Sequence, residues 1–329
     1  MKNIASTRVA CTESLLELAA EDPKIILVCS DSIKVIKADP FAERYPDRLF
    51  DVGIAEQNAV GLAACGLTPF VATYAGFITM RACEQVRTFV AYPGLNVKFV
   101  GANGGLYSGE REGVTHQFFE DLGIMRTIPG IMVVVPADAS QVRKAIKAIA
   151  AIEGPVYLRI GSGRDPVVFD DDTPFEFGKA RILAEHGSDL TIFTNGFIIN
   201  RVLQAAEMLG KEGVNVTVVE VHTLKPLDIE FIVEILEKTG GAVTVEDHNI
   251  IGGLGSAIAE VIAENVLVPL VRVGLQDVFP ESGEAEALLD HYAMGVEDIV
   301  KAVKKAMMKK RKNAKNDKKF ICSYSTFCI

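Results

Sequence analysis

The sequence predicts an α/β protein of two units, a doubly wound parallel sheet followed by a smaller α/β domain, and three observations carry that expectation. Short, nearly continuous apolar runs rich in β-branched residues recur along the chain, as in "KIILVCS", "TPFVATY" and "GPVYLRIG". Amphipathic stretches of helical length separate them, the pattern expected of parallel strands covered on both faces. A cluster of turn formers, "SGRDPVVFDDDTPFEFGKA", then interrupts the alternation before it resumes. A length of 329 residues, 49% of them hydrophobic and 23% charged, suffices for two cores.

Taken in order, "KIILVCS" reads as a strand, and after a helix-length gap "RLFDVG" reads as the next. "GIAEQNAVGLAACGL" follows as a helix of very small residues with Glu56 in its opening turn; such a helix admits close neighbours, so it is expected to be buried and its carboxylate to have a partner. "TPFVATY" is a strand, residues 79–91 a helix, "LNVKFVGA" and "IMVVVPA" strands, "DASQVRKAIKAIAAI" a helix and "GPVYLRIG" a strand. Past the turn-former cluster come "LTIFTNG", a helix to about residue 210, "VNVTVVEVHTLKPLD" as one strand-like run, a helix, "GAVTVEDHN", a helix after "GGLGS", and "PLVRVG". The expected division is therefore 1–165 as the first domain, 166–180 as linker, 181–305 as the second domain and 306–329 as a flexible basic tail.

The net charge of −9 hides an asymmetry, since residues 301–319 hold ten Lys or Arg and one Asp, leaving about −18 on the rest. A basic nucleic-acid face on the body is thereby disfavoured. The opening residues lack the pattern of a secretory leader and no apolar run is long enough to span a bilayer, so a cytoplasmic protein without membrane attachment is expected. Six cysteines at 11, 29, 65, 83, 322 and 328 form no CxxC pair and read as reduced thiols, most of them in the core. No GxSxG, HExxH, GxxxxGK[ST] or framed GxGxxG occurs, which removes the common hydrolase, metalloprotease and nucleotide-loop readings.

The residues with chemistry cluster around Glu56. Tyr74 and Phe77 lie just past a strand end, where an open α/β sheet binds its ligand, and two rings there suit a flat heterocycle. "GANGGLYSGEREGVTHQFFED" is a long loop after another strand, of a kind that tends to be functional; it places His116 near Glu110 and Glu112, suited to proton transfer or hydroxyl binding.

Six segments in this order, "FDVGIAEQNAVGLAACGL", "GFITMRACEQVR", "GEREGVTHQFFED", "VVVPADA", "GPVYLRI" and "VTVEDHNIIGGLGSAIAE", resemble the pyrimidine-binding and C-terminal domains of the transketolase family. More closely, the chain resembles the C-terminal subunit of split transketolases. The resemblance implies a thiamine-diphosphate-binding fold and transfer of a two-carbon ketol unit from a ketose, expected to be phosphorylated, to an aldose. By the same resemblance Glu56 hydrogen-bonds the cofactor's aminopyrimidine ring, Tyr74 and Phe77 pack on that ring, and Asp31 lies near the thiazolium side. His116 is implied to contact donor hydroxyls and Glu112 to read a sugar hydroxyl. Arg159, with Arg164 as the alternative, is implied to clamp a distal anion. Asn103 stands where many relatives have a second histidine and Ser162 where a phosphate-binding arginine is usual, which leaves phosphate and sulfonate sugars both open. The family's metal segment, "GDG", is missing, so Mg²⁺ and the diphosphate are expected on a partner N-terminal subunit. A homodimer core or an α2β2 heterotetramer is the implied assembly. The β subunit of 2-oxoacid dehydrogenase E1 and 1-deoxyxylulose-5-phosphate synthase share the Glu56 segment, but the loop around His116 and the spacing from Phe77 to Arg81 favour the transketolase branch. Presence of Glu56, Phe77 and His116 together opposes a purely structural subunit.

Overall fold

The computed structural model describes residues 4–62, 67–108 and 112–325. Its strands in chain order are Ile4–Ala5 (β1), Ile25–Cys29 (β2), Leu49–Asp51 (β3), Thr68–Tyr74 (β4), Lys98–Ala102 (β5), Met132–Val134 (β6), Val156–Arg159 (β7), Asp165–Pro166 (β8), Arg181–Glu185 (β9), Leu190–Thr194 (β10), Val216–Glu220 (β11), Thr223–Lys225 (β12), Ala242–Asn249 (β13) and Leu270–Leu275 (β14). A seven-stranded sheet has the order β12-β6-β7-β5-β4-β2-β3 and is parallel throughout except for β12 against β6. A five-stranded sheet has the order β14-β13-β10-β11-β9, with β9 antiparallel at its edge. β1 and β8 form a two-residue ladder that ties the start of the first unit to its end.

β2 and β4 are buried along almost their whole length, which is why both read as continuous apolar runs. One face of the larger sheet is covered by helices Thr7–Glu21 and Ala139–Ala150, which contribute Ala10, Leu15, Val142 and Ile146 to a core with Leu27 and Phe70. On the other face Val86, Val90, Leu122 and Met125 pack with Val28 and Phe99. That second core does not stop at the domain boundary, because Ile232 and Leu236 of helix Ile229–Thr239 and Ile258 of helix Leu254–Glu264 belong to it.

Two expectations are corrected. "VNVTVVEVHTLKPLD" is two strands in two sheets: β11 stays in the smaller sheet, while β12 crosses over and pairs with β6 of the larger one. The helix expected over 79–91 begins at Phe77 and contains two π-helical turns, Phe77–Arg81 and Val86–Ala91, closed by bonds such as Ala82 N to Phe77 O at 3.1 Å. Within the described residues the basic segment is helical, continuing the helix Val296–Ser325, in keeping with the absence of Gly and Pro from that stretch. The segment 166–180 is held down as well. Asp138 Oδ2 accepts the amides of Val168 and Phe169 at 2.8 and 2.7 Å, and Phe175 stacks on His222 at 4.3 Å. Cys11 and Cys29 are buried free thiols, both pushed up to about 12 by burial, and Cys83 is a partly buried one. Cys65, Cys328 and Glu110 lie outside the described residues. No helix among the described residues is long and apolar enough to cross a membrane.

Candidate active site

The strand order reverses between β2 and β4: β2 leads to β3 on one side and β4 to β5 on the other. In open α/β sheets the crevice outside the carboxyl ends at such a point is the favoured ligand site. Register places Tyr74 beside Ala102 and Gly101 beside Arg159 at those ends. Asp31 follows β2 in a left-handed conformation (φ 51°), and its amide donates to Asp51 Oδ1 at 2.8 Å. The same oxygen accepts Gly53 N at 3.0 Å, so one carboxylate ties together the turns after β2 and β3.

Beyond β4 the chain needs Gly76, because a Cβ there would lie 2.0 Å from the Phe118 ring. Phe118 thus closes on Phe77 at 5.5 Å, and the His116 ring stands edge-on to both Tyr74 (4.8 Å, 85°) and Phe77 (5.4 Å, 71°). The outer side of this aromatic cluster opens into a cleft of about 620 Å³, whose lining includes Phe77, Met80, Arg81, His116, Phe118 and Phe279. Apolar walls with few polar groups suit a ring-bearing ligand.

Glu56 opens helix Glu56–Leu62 and is only 2% exposed. The partner that its burial demands is Arg81, whose Nη1 donates to both carboxylate oxygens at 2.8 and 2.9 Å. The Arg81 guanidinium also lies 4.0 Å from the centroid of the Phe77 ring, four residues earlier on the same helix face. Glu56 therefore stands behind the cleft wall with Arg81 as its intermediary. Arg81 itself is 45% exposed and readily rehydrated, but Glu56 is buried, so Arg81 can move aside only when another donor takes its place on the carboxylate.

At the other end of the cluster, Asn103 is buried and left-handed (φ 58°); its Nδ2 donates to Glu112 Oε2 at 3.4 Å and its Oδ1 accepts from Arg8 Nη2. Burial, then the charge of Glu112, raises the Tyr74 pKa, and Arg8 opposes the rise. His116 Nδ1 lies 3.0 Å from Thr115 Oγ1. The structure thus brings together Glu56, Tyr74, Phe77 and His116 on one side and Asn103 and Glu112 on the other.

Arg159 is not at the surface of this site. It is 3% exposed, its Nε lies 3.1 Å from Asp121 Oδ2, and its Nη2 donates to Phe118 O at 3.0 Å. Arg164 is exposed, next to Gly163, which packs against Ser6 and Arg8. Arg8 is the residue that sequence reasoning missed. It projects from the first turn of helix Thr7–Glu21, with Nε donating to Gly161 O at 3.2 Å and Nη1 to Val35 O at 3.1 Å. A signal was present: Ser6 is a good N-cap, and a cation in a helix's first turn opposes the dipole and calls for another reason to be there.

The model of the transketolase pyrimidine-binding domain matches residues 4–163, and that of the transketolase C-terminal domain matches residues 178–299. The chain belongs to the transketolase family. It is similar to a 6-deoxy-6-sulfo-D-fructose transketolase subunit of Clostridium sp. (strain MSTE9), 41% identical over 88% of this chain and 90% of that one. It is also similar to one of the subunits of an apulose-4-phosphate transketolase of Phocaeicola vulgatus, 37% identical over 91% and 96%. Among solved structures, a split gene transketolase described as an inactive beta4 tetramer superposes with a TM-score of 0.85 at 43% identity, covering 94% of this chain and all of that one. The transketolase reading of the sequence, and with it the α/β fold class, stands on these matches together with the sheets described above.

Proposed function

We propose that this transketolase-family chain supplies half of a thiamine-diphosphate-dependent ketol-transfer site in the cytoplasm, and that a partner subunit supplies the other half. The observation that carries the reading is a buried carboxylate, Glu56, set directly behind a cleft walled by Phe77 and His116. These residues fit the aminopyrimidine part of the cofactor: Phe77 and Tyr74 offer apolar faces, and Glu56 offers an acceptor able to hold a proton at a ring nitrogen once Arg81 moves aside. When bound, the cofactor supplies an electron sink for cleavage of a carbon–carbon bond. The diphosphate and its Mg²⁺ are assigned to the partner, which is expected to carry the family's GDG segment that this sequence lacks. His116 orients the donor hydroxyls, Glu112 and Asn103 read the sugar, and Asp31 faces the thiazolium side. The anionic end of the sugar is assigned to Arg8, which holds Asn103 beside Glu112, with Arg164 at the adjoining Gly163 turn. The names of the relatives point to a ketose carrying phosphate or sulfonate. Two copies of each subunit form the proposed assembly.

The test is co-expression with a partner bearing a GDG segment, followed by a screen of phosphorylated and sulfonated ketoses. The complex is expected to transfer a two-carbon unit, and the isolated chain neither to bind thiamine diphosphate with Mg²⁺ in a calorimeter nor to turn over. Tight Mg²⁺-dependent binding by the isolated chain would overturn the half-site assignment.

A further inference from the structure

The loop from Asn103 to Glu120 carries His116, yet much of what holds it belongs to the other domain. Asp247, near the end of β13, accepts Leu106 N through Oδ1 at 2.8 Å and Tyr107 N through Oδ2 at 3.0 Å. Asn249 N, two residues on, donates to Phe119 O at 2.8 Å, and Gln117 Nε2 donates to Glu281 O at 3.1 Å. The loop is thus gripped near its start and again just past His116. Asp247 is 4% exposed. A carboxylate in such a place is costly unless its hydrogen bonds need an acceptor with two free oxygens, which two successive amides do. Gly105 makes the approach possible: its φ is +86°, and a Cβ there would lie 2.3 Å from Asp247 Oδ2.

We propose that Asp247 is a positioning residue for ketol transfer, fixing the loop from the C-terminal domain so that His116 is held edge-on to Tyr74 and Phe77 at the cleft. The catalytic part of this proposal rests on the function proposed above. It assigns the C-terminal domain a task, that of clamping the substrate loop of the neighbouring domain. Asp247→Asn keeps the shape but leaves one acceptor for two amides and turns an NH₂ toward one of them. Gly105→Ala perturbs the same contact from the loop side, so the proposal does not depend on one variant folding.

The experiment compares both variants with wild type, in complex with the GDG-bearing partner, by amide hydrogen exchange and steady-state kinetics. Exchange over residues 104–119 is expected to quicken about tenfold while the strands of both sheets keep wild-type protection. The kcat is expected to fall about tenfold with the KM for thiamine diphosphate unchanged, since the loop's contribution is to geometry at the reacting carbons. Faster loop exchange at wild-type kcat, or unchanged loop exchange in both variants, would overturn the proposal. A wild-type complex with no ketol transfer would overturn the functional reading and the catalytic half of this one, while the exchange rates would still decide whether Asp247 holds the loop.

Discussion

Replacing Arg159 by alanine separates a structural from a substrate-binding role. Its guanidinium is 3% exposed and faces Asp121, itself fully buried, with Nε 3.1 Å from Oδ2. The same carboxylate oxygen accepts the hydroxyl of Tyr157 at 2.7 Å. The charge of Arg159 also restrains the upward pKa shifts that burial gives Glu246 and Asp247, so one cation serves three buried carboxylates. Removing it strands the Asp121 charge away from water, and breaking one side of a buried pair costs about 3–5 kcal/mol. At ~2–4 °C per kcal/mol for a domain of this size, the unfolding midpoint should drop by about 10 °C. Asp121→Asn in the Arg159→Ala background removes the orphan charge and should recover a good part of the loss. The chain has no tryptophan, so circular dichroism during heating is the practical readout for wild type, both single variants and the double variant. An Arg159→Ala protein melting with the wild type, and differing only by a raised KM for anionic sugars, would refute the reasoning and return Arg159 to the substrate.

Glu56→Gln should fold and assemble, lose about 1 kcal/mol or less from the half-exposed Arg81 pair, and lose most ketol transfer. Comparable turnover at saturating cofactor would remove Glu56 from the chemistry. A second expectation concerns acid. His222 is held neutral, pushed down to about 4 by burial and then by the Arg181 charge, whereas the unfolded chain protonates it near 6.5. The unfolded state therefore binds more protons between those values, so the contribution of His222 is whole above pH 6.5 and is lost on acidification toward pH 4. It amounts to about 3 kcal/mol. Glu246, pushed up to about 7 by burial, tilts stability the opposite way between its ordinary value and pH 7, so the His222 effect is read as the difference between wild type and His222→Gln across the acid limb of denaturant midpoints. Parallel limbs would contradict it.

What could be read from the sequence follows from what is local. "TPFVATY" announces β4 residue for residue because a strand buried on both faces has no polar alternation to blur it. Glu56 could be inferred to need a partner because small residues surround it, yet the identity of that partner, Arg81, 25 positions later, is a tertiary contact that no local pattern records. Arg159 was implied to hold the distal anion by the family resemblance alone; its commitment to Asp121, 38 positions earlier, is invisible without the fold. Asp247 and the Leu106 amide are 141 residues apart, and β12 leaves its own sheet for another. No periodicity records either event.

The exchange of β12 bears on the order in which the chain can be built. A nascent chain released as far as Pro166 holds every strand of the larger sheet but the one that covers β6. Until Thr223–Lys225 emerges, Met132–Val134 is an open edge whose amides and carbonyls can pair with another copy. Translation of the intervening residues takes several seconds at ~5–20 residues per second, a window in which ribosome-bound chaperones would find their substrate. For the same reason a fragment ending between the two sheets is a poor candidate for independent expression, and a fragment reaching beyond Lys225 is the shorter one that closes the sheet.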